Sequence, residues 1–239
     1  MPSQSKTITD MIPKSRLVND VRTVLYRNDR HDDLADIEGM DDVDVQKLDE
    51  MIDRLLCAAV DKIHSMAPSH MLTDSTLSVS GSASIVWDSS ADEYASVAIA
   101  PESMLRLLAV RLPGWKRHVT QMMSFDDALY DTCRSEFAGI RPTRTFPAVA
   151  LGLDAASGRV RIEAYPKASG SGTAQVRYVR RFDASGDITH DGVNVSERLY
   201  WSIVYTVCQL FYVSMRDDAS ATLMEKEAIQ MLNLNPEDK

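Results

Sequence analysis

Hydrophobic positions along this chain follow two spacings. After Pro13, the residues Leu17, Val18, Val21, Val24 and Leu25 fall on one helical face. Proline suits that opening, because the first N–H of a helix has no partner to lose. An acidic connection then breaks the pattern from Asn28 to Asp44. Helical spacing returns with Val45, Leu48, Ile52, Leu55, Leu56, Ala59, Ile63 and Met66, and Pro68 ends it. Three strand-like runs follow, "TLSVS", "ASIVWD" and "ASVAIA", separated by Gly81 and "SSADE". "PESMLRLLAVRLPG" predicts a helix stopped by Pro113 and Gly114, whereas "GWKRHVTQMM" has no decided period. "SFDDALYDTCRSEFAG" predicts a short helix with Ser124 or Asp126 as its cap and Gly139 as its stop.

The second half begins with a strand, a turn and a strand in "FPAVALGLDAASGRVRIEAYP". "AQVRYVRRF" is a third strand, with Val176, Tyr178 and Arg180 on one face and Arg177 and Arg181 on the other. Asn194 and Glu197 are spaced as a capping box for the next helix. In that helix Leu199, Ile203, Val207 and Leu210 trace one face, while Trp201, Tyr205 and Tyr212 make the others apolar too. A helix of this kind is surrounded by protein. Its uncharged run, Leu199–Met215, is shorter than the roughly twenty apolar residues that span a bilayer. It also contains Ser202, Thr206, Gln209 and Ser214, so a buried central helix is expected and no membrane partner. A last helix covers about Ala219–Leu232.

Helices and strands come in separate runs without βαβ alternation, which predicts an α+β fold. The expected architecture is a helical body of N- and C-terminal helix pairs, a small antiparallel β-meander and an extended basic β-hairpin. Its organisation would be a flexible arm over residues 1–12, then a single domain over 13–239 with a hairpin projecting at 147–182.

Composition narrows the class. The 239 residues are 44% hydrophobic and 26% charged, enough to build a core without metals or disulfides. Cys57, Cys133 and Cys208 are odd in number and widely spaced, which argues against a disulfide scaffold and for a reducing compartment. The first seventeen residues lack the apolar core of a secretion signal.

Recognisable chemistry is sparse. His31, His64, His70, His118 and His190 are scattered, with no H-E-x-x-H or C-x-x-C context. The His190–Asp191 pair in "ITHDG" lies in a Gly/Asp-rich loop and lacks the helical partners that phosphohydrolase chemistry needs. The acidic run from Asp29 fails the calcium-loop pattern, with Leu34 at its sixth position and Met40 at its twelfth. "SGSGT" has no lysine before its threonine, and "SGSAS" lacks the second glycine of a nucleophile elbow. No catalytic residue, metal site or cofactor is expected. A hydrolase with an unrecognised site is the weakest of the alternatives.

Charge is more informative. The chain carries −9, yet residues 157–181 hold Arg159, Arg161, Lys167, Arg177, Arg180 and Arg181 against one acid, Glu163. Residues 28–54 carry eleven acids, among them Asp32, Asp33, Asp36, Asp41, Asp42 and Asp44, against Arg30, Lys47 and Arg54. One reading has the basic strands touching nucleic acid, which binds largely through its phosphates. Against it stand a sequence pI near 5.0 and few aromatics for stacking. A second has acidic and basic surfaces of neighbouring copies meeting head to tail and closing into a ring. A third leaves both runs as solvated surface.

The series "VAIAPESMLRLLAVRLPGWKRHV" and "FDDALYDTCRSEFAGIRPTRTFPAVALGL" resembles a group of tailed-bacteriophage virion proteins from viruses of gut bacteria. The matching anchors are Pro101, Glu102, Leu105, Arg106, Leu107, Trp115, Phe137, Gly139 and Arg141, and the layout extends over residues 45–232. The resemblance implies a non-enzymatic structural protein of the head–tail connector, neck or tail, assembled in the host cytoplasm. Its partners would be copies of itself in a ring, the portal and other neck or tail proteins, with double-stranded DNA passing through the lumen. It assigns no catalytic residue.

Overall fold

The computed structural model describes residues 11–29, 42–72, 77–81, 85–169, 172–189 and 192–233. Most of the expected arm and the acidic residues Asp32, Asp33, Asp36 and Asp41 lie outside them. The α+β class is borne out, because helices and strands segregate almost completely. They do so into two compact units where one domain was expected. A helical unit takes residues 1–76 and 182–239, and a β unit of residues 77–181 is inserted between its halves.

In the helical unit, α1 (Lys14–Asp29) and α2 (Asp42–Met66) come first. The amides of Arg16 and Leu17 donate to the Pro13 carbonyl, so proline opens α1 as its chemistry allows. After the β unit follow the short α4 (Ala184–Asp187), α5 (Tyr200–Met215) and α6 (Asp218–Asn233). Helix α5 is the centre, with α1, α2 and α6 all packed on it. Ile203, Val204, Val207 and Cys208 are fully buried there, and Leu17 and Val21 of α1, Ile52, Leu56 and Ile63 of α2, and Met224 and Ala228 of α6 are buried too. Each large aliphatic side chain so buried stabilises the fold by about 1.5–3 kcal/mol.

Polar contacts set how the helices meet. Lys62 Nζ donates to Gln209 Oε1 at 2.8 Å and Glu225 Oε1 at 2.7 Å, joining α2, α5 and α6. Arg22 reaches Asp49 between α1 and α2, and the Tyr200 hydroxyl donates to Asp20. The expected capping box at Asn194 does not form. Asn194 is held by Asp187 instead, and a 3₁₀ turn over Glu197–Leu199 leads into α5. The helical backbone begins only after Ser196, so Asn194 stands two residues too early to cap it.

The β unit holds seven strands: β1 (Leu77–Gly81), β2 (Ser96–Ile99), β3 (Met104–Arg111), β4 (Met123–Ser124), β5 (Ala148–Leu153), β6 (Val160–Tyr165) and β7 (Gln175–Arg180). One sheet has the order β1-β7-β3 and the other β2-β6-β5-β4, antiparallel except where β4 meets β5. Leu107, Val110, Val176 and Tyr178 of the first sheet share a core with Ala98, Val149, Ile162 and Ala164 of the second, and Trp115 and Leu112 complete it. The unit is a small sandwich.

Four expectations change here. Residues 104–111, expected as helix, form a strand paired to β7. Leu, Met, Ala and Arg favour helices only weakly, and the hydrogen-bonding edge of β7 decides otherwise. The basic stretch 157–181 is no hairpin: β6 pairs with β2 and β5, while β7 pairs with β1 and β3. The hairpin in this region is β5–β6, and it packs in the sandwich. Of "ASIVWD", Ile85–Trp87 form no strand, and Asp88 makes an isolated bridge to Val97. Helix α3 (Ala128–Cys133) is capped by Asp127, whose carboxylate accepts from the Leu129 amide at 2.9 Å. It ends at Cys133, well before Gly139.

Candidate functional site

The six basic residues of 157–181 are divided between the two sheets. Arg159 and Arg161 sit on β6, and Lys167 lies in the loop after it. Arg177 and Arg180 are on β7, with Arg181 just beyond. Arg161 is committed, 2.7 Å from Glu163 Oε1. Arg159 donates to the Ala100 carbonyl at 2.6 Å. Arg180 is half-buried, and its guanidinium also reaches the Arg181 carbonyl. Lys167, Arg177 and Arg181 are exposed. Asp42 and Asp44 lie in the first turn of α2, in the other unit.

The charge split therefore follows the division of the fold. The β unit has thirteen Lys and Arg against ten Asp and Glu, a net of +3. The helical unit has thirteen against twenty-five, a net of −12.

The most concentrated chemistry lies elsewhere, on the face of the four-stranded sheet that α3 covers. Residues two apart on a strand share a face, so β6 places Arg161, Glu163 and Tyr165 side by side. Glu163 is 1% exposed. Its Oε2 accepts from the Tyr165 hydroxyl at 2.6 Å and the Tyr130 hydroxyl at 2.8 Å. Arg134 donates to the Tyr130 oxygen at 2.8 Å and pairs with Asp92. Two carboxylates and two guanidiniums thus form one neutral network running from Asp92 to Arg161. Phe125 stacks on Tyr130 at 4.9 Å between ring centres and covers it. Gly152 of β5 makes room for that ring, since a Cβ there would lie 1.9 Å from Phe125 Cδ2.

The electrostatics follow from the burial. Desolvation, then the hydrogen bond and charge of Glu163, make Tyr130 and Tyr165 weaker acids, with pKa values above the ordinary phenol value of 10.0. Burial would lower Arg134, but Tyr165, Tyr130, Asp92 and Glu163 outweigh it and raise it. Both phenols are held as donors, and Glu163 accepts their two hydrogen bonds while pairing with Arg161. A general base needs a free acceptor facing a substrate, and this carboxylate is already taken up. The cluster clamps the 123–134 segment onto the sheet.

Sequence reasoning missed this cluster. Its signal was present in "RIEAY", where the one acid of a basic stretch alternates with an arginine and a tyrosine. Among the described residues, no three His, Cys, Asp or Glu side chains converge as a metal site requires. No helix among them is long and apolar enough to cross a membrane. Cys57, Cys133 and Cys208 are free thiols. The chain matches no protein-family model and no curated protein sequence.

Proposed function

We propose that this chain is a structural subunit that joins copies of itself head to tail, through a basic β unit and an acidic helical unit, within the head–tail connector of a tailed-phage virion. The single observation that carries self-association is the segregation of charge: +3 on one compact unit and −12 on the other. A molecule with poles of opposite sign presents complementary surfaces to its own copies, and a repeated heterologous contact closes into a ring when its rotation allows. Exposed Lys167, Arg177 and Arg181 are the cations of the original six with side chains open to a partner. The phage placement, with portal and neck proteins as further partners and DNA in the lumen, rests on the resemblance around Pro101–Leu107 and Phe137–Arg141.

Sedimentation velocity over a concentration series tests the contact. Association should weaken with added salt, as screening shortens the reach of exposed charges. It should also weaken in an Arg177→Glu/Arg181→Glu variant. Self-association indifferent to both would refute the electrostatic contact. Electron microscopy of particles tests the placement, and a neck and tail that lack this chain overturn it.

A further inference from the structure

A second cationic surface of the β unit combines charge with exposed rings. The Lys116 amide donates to the Arg144 carbonyl at 2.9 Å, which lays the turn after Trp115 along the segment leading into β5. There the Arg117 guanidinium stands over the Phe146 ring, 4.7 Å from its centre, although Phe146 is 63% exposed. Thr143 and Phe146 close a tight turn, with the Thr143 amide on the Phe146 carbonyl at 3.1 Å and the Phe146 amide on Thr143 Oγ1 at 3.2 Å. Earlier in the same loop, the Phe137–Ile140 turn leaves Phe137 76% and Ile140 57% exposed. Arg141 packs on the Tyr94 ring at 4.6 Å and fixes the loop between these turns. Among the described residues, no carboxylate forms an ion pair with Lys116, Arg117, Arg141 or Arg144.

Single exposed apolar residues are ordinary on a protein surface. Two phenylalanines and an isoleucine in one hydrogen-bonded loop, interleaved with arginines, present a surface that is both apolar and cationic. A matching occupant must be both apolar and anionic. Residues 29–45 of this chain, "DRHDDLADIEGMDDVDV", have that composition. They carry eight acids against Arg30, with Leu34, Ile37, Met40 and Val43 at every third position. A polynucleotide would supply the charge without the aliphatic groups, and a chain of net −9 repels it.

We propose that the Lys116–Arg117 turn and the Phe137–Phe146 loop seat the acidic segment 29–45 of a second copy, which adds this surface to Lys167, Arg177 and Arg181 on the positive side of the head-to-tail contact. This rests on the self-association proposed above and names the residues that carry it. The charged pairs set register and encounter rate, and the rings and aliphatic side chains supply the area removed from water.

The experiment uses the full chain with a photoreactive benzoylphenylalanine in place of Phe146, mixed in equal amounts with isotopically labelled copies. Irradiation and mass spectrometry should find mixed-isotope cross-links from position 146 to residues 29–45. Lys116→Glu/Arg117→Glu/Arg144→Glu should lower their yield about tenfold or more. Adding Asp32→Lys/Asp36→Lys/Asp41→Lys to that variant should restore it. Unchanged far-ultraviolet circular dichroism shows that each variant keeps its fold. Copies that associate in sedimentation while position 146 cross-links to other segments overturn this inference and leave the assembly reading standing. Copies that stay monomeric and give only same-isotope cross-links overturn both. Cross-linking to an added single-stranded oligonucleotide in preference to protein assigns the surface to nucleic acid and overturns the inference.

Discussion

Replacing Glu163 by Gln tests whether the buried network holds the β unit together. The carboxylate accepts from Tyr165 and Tyr130 and forms an ion pair with Arg161. Glutamine keeps the shape but turns one acceptor oxygen into an NH2 donor, which must face either the phenols or the guanidinium. Removing one partner of a fully buried ion pair costs about 3–5 kcal/mol. The Arg161 side chain is 32% exposed, so water can solvate its cation, and the loss should be nearer ~2–3 kcal/mol. Trp87 and Trp115 lie in the β unit and Trp201 in the helical unit. On a Trp201→Phe background, tryptophan fluorescence therefore follows unfolding of the β unit alone. Urea slopes of about 1–3 kcal/mol/M for small proteins convert the loss to a midpoint roughly 1–2 M lower. Tyr130→Phe removes a hydroxyl that donates to Glu163 and accepts from Arg134, and should cost about 1.5–3 kcal/mol. A midpoint for Glu163→Gln within about 0.3 M of the parent would show that the network contributes nothing to stability.

Three further outcomes are expected. Tyr130 and Tyr165 have folded-state pKa values above the ordinary 10.0, so the unfolded chain releases these protons first. Their stabilisation is complete below that pH and declines above it by about 1.4 kcal/mol per pH unit per phenol. In urea titrations, Tyr165→Phe should therefore lose less stability than the parent between neutral pH and one unit above that value. Gly152→Ala drives a methyl into the Phe125 ring, which should cost about 1–3 kcal/mol and change the near-UV circular dichroism as Phe125 leaves Tyr130. Burial pushes the Cys208 thiol up to about 12 and also raises Cys133 and Cys57. Because the thiolate is the reactive form, a chromogenic disulfide at neutral pH should label half-buried Cys57 first and reach Cys133 and Cys208 only on unfolding.

Local pattern was enough to determine the four long helices of this protein, the central burial of the helix at Tyr200–Met215, three strands between 148 and 180, and the opposition of acidic and basic runs. Each depends on spacing along one segment: 3.6 for a helix face, 2 for a strand. Partners across the fold decided the rest. Met104–Arg111 is composed of helix formers, yet it is a strand because β7 offers it a hydrogen-bonding edge. The two basic strands are neighbours in sequence but belong to different sheets, and no periodicity says which edge a strand will join. Glu163 looked like one acid among arginines. It became the centre of a buried network only when α3 and Phe125 covered its face of the sheet. Spacing tells a side chain which face it shares, but tertiary packing decides what covers that face, and so whether a charge meets water or a partner.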